Sequence, residues 1–474
     1  MDKRVSSSFL SDSEQIDDDN KVALILDSVK VVNSLCVFKL KWLYMKVVAF
    51  LPAKGTSSRI PNKNVQLLDG KPLFLHSLEK LVACDFIDEV YLDTECDAVA
   101  DLASELDCYV LRRSPDLASN KTDGNRLFMN EVDSVEADIY IQMLCTSPFI
   151  DPETIRKGID KVASKKFDSA VLVRRDKQYQ WNDNGPIYDI ENIPNSVDLE
   201  DSVIETMGLY IVSSDAARRT QRRIGDLPYQ LEASPIEAID VNWPEDFELA
   251  NLMAAGIREK DRKLLSNIKT HITSSILSDI LDDLGVNGVL KGFKGNIDGV
   301  SAIGRAKTLK IRKLNADEDY RGIYKALKSY ESIVPNDIIL VENEVSDCAY
   351  FGELNANLAI RSGATAAIIG GMTRDTREVF DLGFPVFSKG QTCQDVRRRA
   401  TLESINKTID MDGVKVSPND LVYADQDGVV VVPRKYEKEV IKRVFEIASN
   451  EKSILVDIAK GVDVESLTEQ HGFF

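Results

Sequence analysis

The chain has 474 residues, of which 43% are hydrophobic and 29% charged, and a formal net charge of −18. That length exceeds one ordinary domain, and no run approaches the roughly 18 apolar residues of a membrane span. The acidic balance excludes an extended nucleic-acid surface, because the average surface would repel a phosphate backbone. A small anion in a local basic pocket stays open. Seven cysteines (Cys36, Cys84, Cys96, Cys108, Cys145, Cys348 and Cys393) form no C-x-x-C pair and read as reduced thiols of a cytoplasmic protein. His76, His271 and His471 have no partner at ligand spacing, which leaves ionic chemistry to carboxylates and basic side chains.

Residues 1–44 read as a poorly ordered N-terminal extension: "SSSFLSDSEQIDDDN" is polar and acidic, and the apolar stretch after it lacks a signal-peptide layout. Met45 then opens "MKVVAFLPAKG", the pattern of a natural start followed by a buried strand. From 47 to about 255, short β-like runs ("VVAFL", "EVYLDT", "CYVLR", "IYIQML", "SAVLVRR") alternate with helical stretches ("PLFLHSLEKLVA", "DAVADLASEL", "PETIRKGIDKVASK"). This alternation predicts an α/β domain with a mostly parallel sheet, whose ligands sit beyond the carboxyl ends of the strands. There lies "LPAKGTSSRIPNKN", with Lys54, Arg59 and Lys63 around small residues. It reads either as a phosphate site, with backbone N–H groups and cations around an anion, or as a solvated basic loop. The charged, helical "GIREKDRKLLS" contains no Pro/Gly-rich linker. Beyond it, "SSILSDILDDLG" reads as a helix with serine and aspartate near its start and a glycine stop. The strands "SAIGRAKTLKI", "DIILVENE", "AAIIGG", "PVFSKG" and "GVVVVP" follow. The domain limits are placed at 45–257 and 264–474.

The first segment resembles the CMP-N-acetylneuraminate cytidylyltransferases and their CMP-Kdo relatives. Their opening signature, roughly P-A-R-G-G-S-K-G-I-P-x-K-N, faces P-A-K-G-T-S-S-R-I-P-N-K-N here. "LLDGKPL", "EVYLDTE", "RRSPDLA", "CTSPF" and "IDVNWPEDFELA" follow in the family's order. The resemblance implies a Rossmann-like nucleotidyltransferase that joins CTP to the hydroxyl of an acidic sugar. Lys54 and Lys63 would be its catalytic cations, and Ala53, Gly55, Ser57, Asn64 and Arg113 would contact the nucleotide. It also implies a magnesium or manganese ion at Asp240, with Asn242 standing where the family has a second carboxylate. Ser58 replaces the family's mid-loop lysine, with Arg59 beside it. Leu144 and Cys145 replace a glutamine and a proline in the segment that meets the acceptor, which argues against neuraminate itself. As the residues stand, Arg113 also reads as a surface cation and Asp240 as a helix cap.

The second segment resembles the RraA-like family, which includes divalent-metal aldolases acting on 4-hydroxy-2-oxo acids, oxaloacetate decarboxylases and non-catalytic RNase E regulators. "GELNANLAIRSGATAAIIGGMTRDTREVFDLGFPVFSKG" and "GVKVSPNDLVYADQDGVVVVP" carry the likeness, with Gly370 and Gly371 in place of the family's D-G. It implies an α/β domain in which Arg374 binds a substrate carboxylate and Asp375 holds the metal. Glu353 would be an acidic partner of the metal's waters, and Gly352 and Leu354 would offer backbone donors. As residues alone, Arg374 and Asp375 also read as a surface ion pair. The expected partners are small molecules (CTP, an acidic sugar, a 2-oxo acid) and neither nucleic acid nor membrane. The resemblances imply a homo-oligomer, with dimeric contacts in the first domain and trimeric contacts in the second. A transferase fused to a non-catalytic RraA-like scaffold remains the alternative.

Overall fold

The computed structural model describes residues 45–119, 121–459, 462 and 466–468, without the side chains of 448–457 and 459. The expectation for residues 1–44 lies outside the described residues. Two compact units emerge. One combines the residues up to Ala53 with Ser77–Glu95 and Cys108–Ala238, and the other combines Lys54–His76, Cys96–Asp107 and the chain from Ile239 onward.

The first unit is built on strands β1 (Val47–Pro52), β2 (Glu89–Thr94), β3 (Tyr109–Arg112), β4 (Ile139–Met143), β5 (Ser169–Asp176), β6 (Ser202–Ser213) and β7 (Pro228–Glu232). They form a seven-stranded sheet in the order β7-β5-β6-β4-β1-β2-β3. β6 runs antiparallel to both neighbours, and every other pairing is parallel. The expected mostly parallel α/β sheet is therefore present. All six residues of β1 are buried, as expected of a strand covered on both faces. Strand order reverses at β1, between β2 and β4, which puts its carboxyl end at the usual ligand crevice of such sheets.

Three helices follow the sequence closely: α1 (Leu73–Val82), α2 (Asp97–Leu102) and α4 (Pro152–Ala163). Two more, α5 (Ser214–Thr220) after β6 and α3 (Gly124–Ser134) before β4, are absent from the sequence reading; α3 is the longer. Asp123 caps it by accepting the N–H groups of Asn125 and Arg126. Phe128, Met129 and Val132 bury its inner face against Val48 and Phe50 of β1. Each fully buried side chain of this size contributes about 1.5–3 kcal/mol.

Helix α6 (Pro244–Lys269) runs without a break through 257–264. It is followed by α7 (Ser274–Asp283), capped by Thr273, whose Oγ1 accepts the Ile276 N–H at 3.1 Å. Gly285 ends it at φ +66°, a conformation that favours glycine. The second sheet contains β8 (Val289–Leu290), β9 (Lys294–Gly295), β10 (Ala302–Lys313), β11 (Asp337–Asn343), β12 (Ala349–Phe351), β13 (Ala366–Thr373), β14 (Val386–Gln391), β15 (Ala400–Ile405), β16 (Leu421–Ala424) and β17 (Val429–Val432). Its order is β8-β17-β16-β10-β11-β13-β14-β9, with β12 paired to β13 and β15 to β10. The parallel centre β10-β11-β13-β14 has apolar clusters on both faces. Between β12 and β13 lies α8 (Glu353–Ser362), and α9 (Thr376–Asp381) follows β13. Among the described residues, no helix is long and apolar enough to cross a membrane.

Candidate functional sites

The loop after β1 starts at Ala53, which is buried. Its cations are held from the segment that precedes α6. The Lys63 ammonium donates to the Val241 carbonyl at 2.6 Å and is buried with it. Arg59 Nη2 donates to Asn242 Oδ1 at 2.8 Å, and its guanidinium lies 5.3 Å from the centre of the Trp243 ring. Asn64 Nδ2 donates to the Lys54 carbonyl at 2.8 Å and ties the two ends of the turn together. Asn62, with φ +51°, supplies the left-handed residue that makes the turn. Gly55 and Ser57 lie half-buried within it.

Asp240 is not the helix cap that one reading of the sequence allowed. Asp246 caps α6 by accepting the N–H groups of Asn242 and Trp243 at 2.9 and 2.8 Å. The Asp240 carboxylate accepts from Asn242 Nδ2 through Oδ2, while its buried Oδ1 has no hydrogen-bond partner. An orphaned buried carboxylate oxygen suits a hard cation. Asn242, the second member of the pair, has its amide oxygen turned to Arg59 and its amide nitrogen to Asp240. Its oxygen is therefore engaged by a cation of the protein.

Arg113 is a buried ion-pair partner, which excludes the surface-cation reading. Its side chain is 3% exposed and lies 3.3 Å from Asp93 and 3.1 Å from Glu95. Any contact with a nucleotide competes with those carboxylates. Beneath it, Asp93 of β2, Glu131 of α3 and Gln142 of β4 are fully buried. Gln142 Nε2 donates to Glu131 Oε2 at 2.7 Å. The Asp93 and Glu131 carboxyl groups act directly on each other's protonation, and Asp93 Oδ1 and Glu131 Oε1 are buried with no hydrogen-bond partner. Two carboxyl groups coupled in this way share a single proton. Burial, then the Asp93 charge, pushes the Glu131 carboxyl well above its ordinary range, so the proton belongs on Glu131. No titratable group in this set was legible as a cluster from sequence.

In the second unit, β13 delivers Arg374 and Asp375 at its carboxyl end. β12 lies parallel with Phe351 opposite Thr373, which brings Gly352 beside them. The Arg374 N–H donates to the Phe351 carbonyl at 3.0 Å, and the Glu353 N–H donates to Asp375 Oδ2 at 3.2 Å. Glu353 thus meets Asp375 through its backbone, and its side chain is exposed. Asp375 has φ +52°, an uncommon conformation for a non-glycine residue that recurs at functional sites. A Cβ on Gly352 would lie 2.4 Å from Asp375 Oδ2, so any larger residue there displaces the Asp375 carboxylate. The Arg374 guanidinium lies 2.8 Å from Asp395 and 3.5 Å from Asp375. Asp395 escaped the sequence reading. Arg374, Asp375, Asp395, Gly352 and Leu354 line a cavity of about 980 Å³, with Tyr350 and Val396 among its other walls.

Among the described residues, no group of three or more His, Cys, Asp or Glu side chains is arranged to hold a metal. Magnesium does not require such a cage. It commonly takes one or two carboxylates and fills the remaining positions with water and substrate oxygens. The all-oxygen donors Asp240 and Asp375 fit that pattern.

Residues 48–244 match the family model described as Cytidylyltransferase, and residues 275–431 match the one described as Aldolase/RraA. Protein DlpA of Legionella pneumophila is 27% identical over 42% of this chain and 32% of its own length. The CMP-N,N'-diacetyllegionaminic acid synthase of the same organism is 34% identical over 26% of this chain and 57% of its own. A putative 4-hydroxy-4-methyl-2-oxoglutarate aldolase of Halalkalibacterium halodurans is 29% identical over 36% of this chain and 78% of its own. The chain spans about a third of the first relative and somewhat more than half of the second. A cytidylyltransferase-type region is thus followed, in one chain, by an Aldolase/RraA-type region, as the two sequence resemblances imply.

Proposed function

We propose that the chain is a bifunctional enzyme that activates an acidic, ulosonic or sialic-type sugar with CTP and cleaves a 4-hydroxy-2-oxo acid to pyruvate. The observation that carries the first half is the loop of cations after β1, held against Val241 and Asn242 next to an unpartnered carboxylate oxygen of Asp240. The relative named as a CMP-sugar-acid synthase supports an acidic acceptor. In the reaction, the acceptor hydroxyl oxygen bonds to the α-phosphorus of CTP and loses its proton. The bond from that phosphorus to the bridging oxygen breaks, and pyrophosphate leaves. Lys54 and Lys63 stabilise the charge that develops on the phosphate oxygens. Gly55, Ser57 and the loop backbone orient the triphosphate, and Asn64 and Ala53 border the nucleoside. Magnesium at Asp240 would neutralise the triphosphate. Arg113 acts on the nucleotide only to the extent that it exchanges one of its carboxylates.

In the second region, Arg374 binds the substrate carboxylate and the backbone N–H groups of Gly352 and Leu354 orient it. The C3–C4 bond breaks as the C4 hydroxyl gives up its proton and becomes a carbonyl. The electron pair moves toward the 2-oxo group, and protonation at C3 yields pyruvate. Magnesium or manganese at Asp375 would polarise the 2-oxo oxygen. Glu353 serves through its N–H, which fixes Asp375. The proposal keeps the domain limits at 45–257 and 264–474, a cytoplasmic location and a homo-oligomer.

One observation favours a second reading, a transferase with a non-catalytic C-terminal scaffold. Arg374 is already paired with Asp395 and Asp375, as in a structural ion pair. Incubation with CTP, magnesium and a panel of 2-oxo sugar acids, read as pyrophosphate release, tests the first activity. Pyruvate formation from oxaloacetate or a 4-hydroxy-2-oxo acid tests the second, and its absence with every such substrate leaves the scaffold.

A further inference from the structure

One loop cation has no place in the scheme above. Arg59 adjoins Ser58, where the resembling family carries a lysine, and among the described residues it forms no ion pair. It rests on the Asn242 amide oxygen and above the exposed face of Trp243. Both interactions hold a cation without neutralising it. Asn242 is locked in orientation, because its amide nitrogen donates to Asp240 and its oxygen is left for Arg59. The backbone on either side of the arginine is pinned through Lys63 to Val241 and through Asn64 to Lys54. The long Arg59 side chain can therefore change partners without a change in the loop.

We propose that Arg59 is a stored triphosphate-binding residue, which leaves Asn242 and Trp243 for the phosphates of an incoming nucleoside triphosphate. The proposal rests on the cytidylyltransferase reading and extends it to a residue and a trigger. A polyphosphate offers the guanidinium charged, bidentate acceptors that outcompete a neutral amide and an indole face. The identity of residue 242 then acquires a reason. An aspartate there would form an ion pair with Arg59 and retain it. The asparagine holds it loosely enough to be released. Trp243 becomes the natural reporter, because its ring loses a cation when the exchange occurs.

The test uses the full chain with CTP, inorganic tripolyphosphate and CMP, and follows tryptophan emission alongside calorimetric binding. CTP and tripolyphosphate are expected to change the emission and CMP to change it far less, and Trp243→Phe should remove the response. Arg59→Ala should weaken CTP binding about tenfold, the usual scale for one charged phosphate contact, and abolish the emission change. Arg59→Lys should fall between. Asn242→Asp should weaken CTP binding and suppress the emission change, because Arg59 stays paired. Lys157→Ala, an exposed change on α4, should match the unaltered chain. Normal CTP binding and emission in Arg59→Ala overturns the proposal and leaves the cytidylyltransferase reading intact. So does tighter CTP binding in Asn242→Asp, which would make residue 242 a metal-side carboxylate position. Failure of the unaltered chain to bind CTP overturns both.

Discussion

The two candidate sites hold their arginines differently. Arg59 rests on an amide oxygen and an indole ring, whereas Arg374 faces the carboxylates of Asp395 and Asp375. A ligand anion reaching Arg59 displaces neutral groups, but one reaching Arg374 must share it with two negative charges. Exposed ion pairs are worth only about 0–1 kcal/mol, and the Arg374 and Asp395 side chains are 37% and 34% exposed. The second site can therefore still accept a carboxylate, particularly if a divalent cation at Asp375 offsets the local negative charge. The difference implies that the release of Arg59 responds to the charge of the ligand, and that the release of Arg374 responds to ligand and metal together.

The largest effect that would sharpen this comparison is expected at Lys63. Lys63→Ala should lower CTP-dependent pyrophosphate release by about 10²–10³-fold, the scale of one preorganised charge at a reacting phosphate, with pyruvate formation from oxaloacetate unchanged. An effect no larger than that of Lys157→Ala would return the loop to the solvated-cation reading. Asp375→Asn should reduce metal-dependent pyruvate formation by about 10²-fold or more, since an amide supplies no ligand charge, and should spare pyrophosphate release. If both rates fell together, the two activities would not be separable in the way the sites imply.

A smaller and purely geometric change probes the same carboxylate. Gly352→Ala places a Cβ 2.4 Å from Asp375 Oδ2 and 3.0 Å from Arg374 Cγ, closer than carbon and oxygen can stand. Asp375 must move, so pyruvate formation should fall about tenfold while the chain stays folded, in line with the sensitivity of reaction rates to small displacements. Equal pyruvate formation in the alanine variant would show that the reaction does not depend on the position of Asp375.

The fold was legible where periodicity and burial coincide. β1 reads as a continuous apolar run because both of its faces are covered, and the cation loop follows from its position after that strand. α3 was missed because Asn125, Arg126 and Asn130 interrupt the apolar stripe that Phe128, Met129 and Val132 form only once it is packed. Arg374 and Asp375 adjoin in sequence, so their pairing could be read, but Asp395 comes from a later loop and nothing in its local sequence marks it. The same holds for Asp93, Glu131 and Gln142, which belong to three different elements and meet only through the sheet order. Backbone effects were out of reach altogether: the left-handed conformation of Asp375 and the approach of Gly352 to it depend on the register of β12 against β13.

The buried carboxyl pair gives the smallest and most specific prediction. Glu131 is raised above its ordinary value of 4.5 in the folded chain, by burial first and then by the Asp93 charge. In the unfolded chain it titrates near that ordinary value. Between the two values the folded state binds a proton that the unfolded state has released, so stability declines as pH rises. The contribution is fully present below about 4.5 and is lost progressively as pH climbs toward the folded value. Glu131→Gln removes the titration and keeps the bond to Gln142. Its amide nitrogen can donate to Asp93 in place of the acid proton, and its oxygen can accept from Gln142. The variant should therefore show a flatter stability profile as pH rises above about 4.5, melting a few degrees above the unaltered chain at the upper end, since 1 kcal/mol corresponds to about 2–4 °C in domains of this size. Glu131→Ala should instead destabilise throughout, by about 1–3 kcal/mol for each buried polar group left unpaired. A Glu131→Gln profile with the same slope as the unaltered chain would mean that the proton is not held between Asp93 and Glu131, and that the Arg113 ion pairs are set by some other balance of charge.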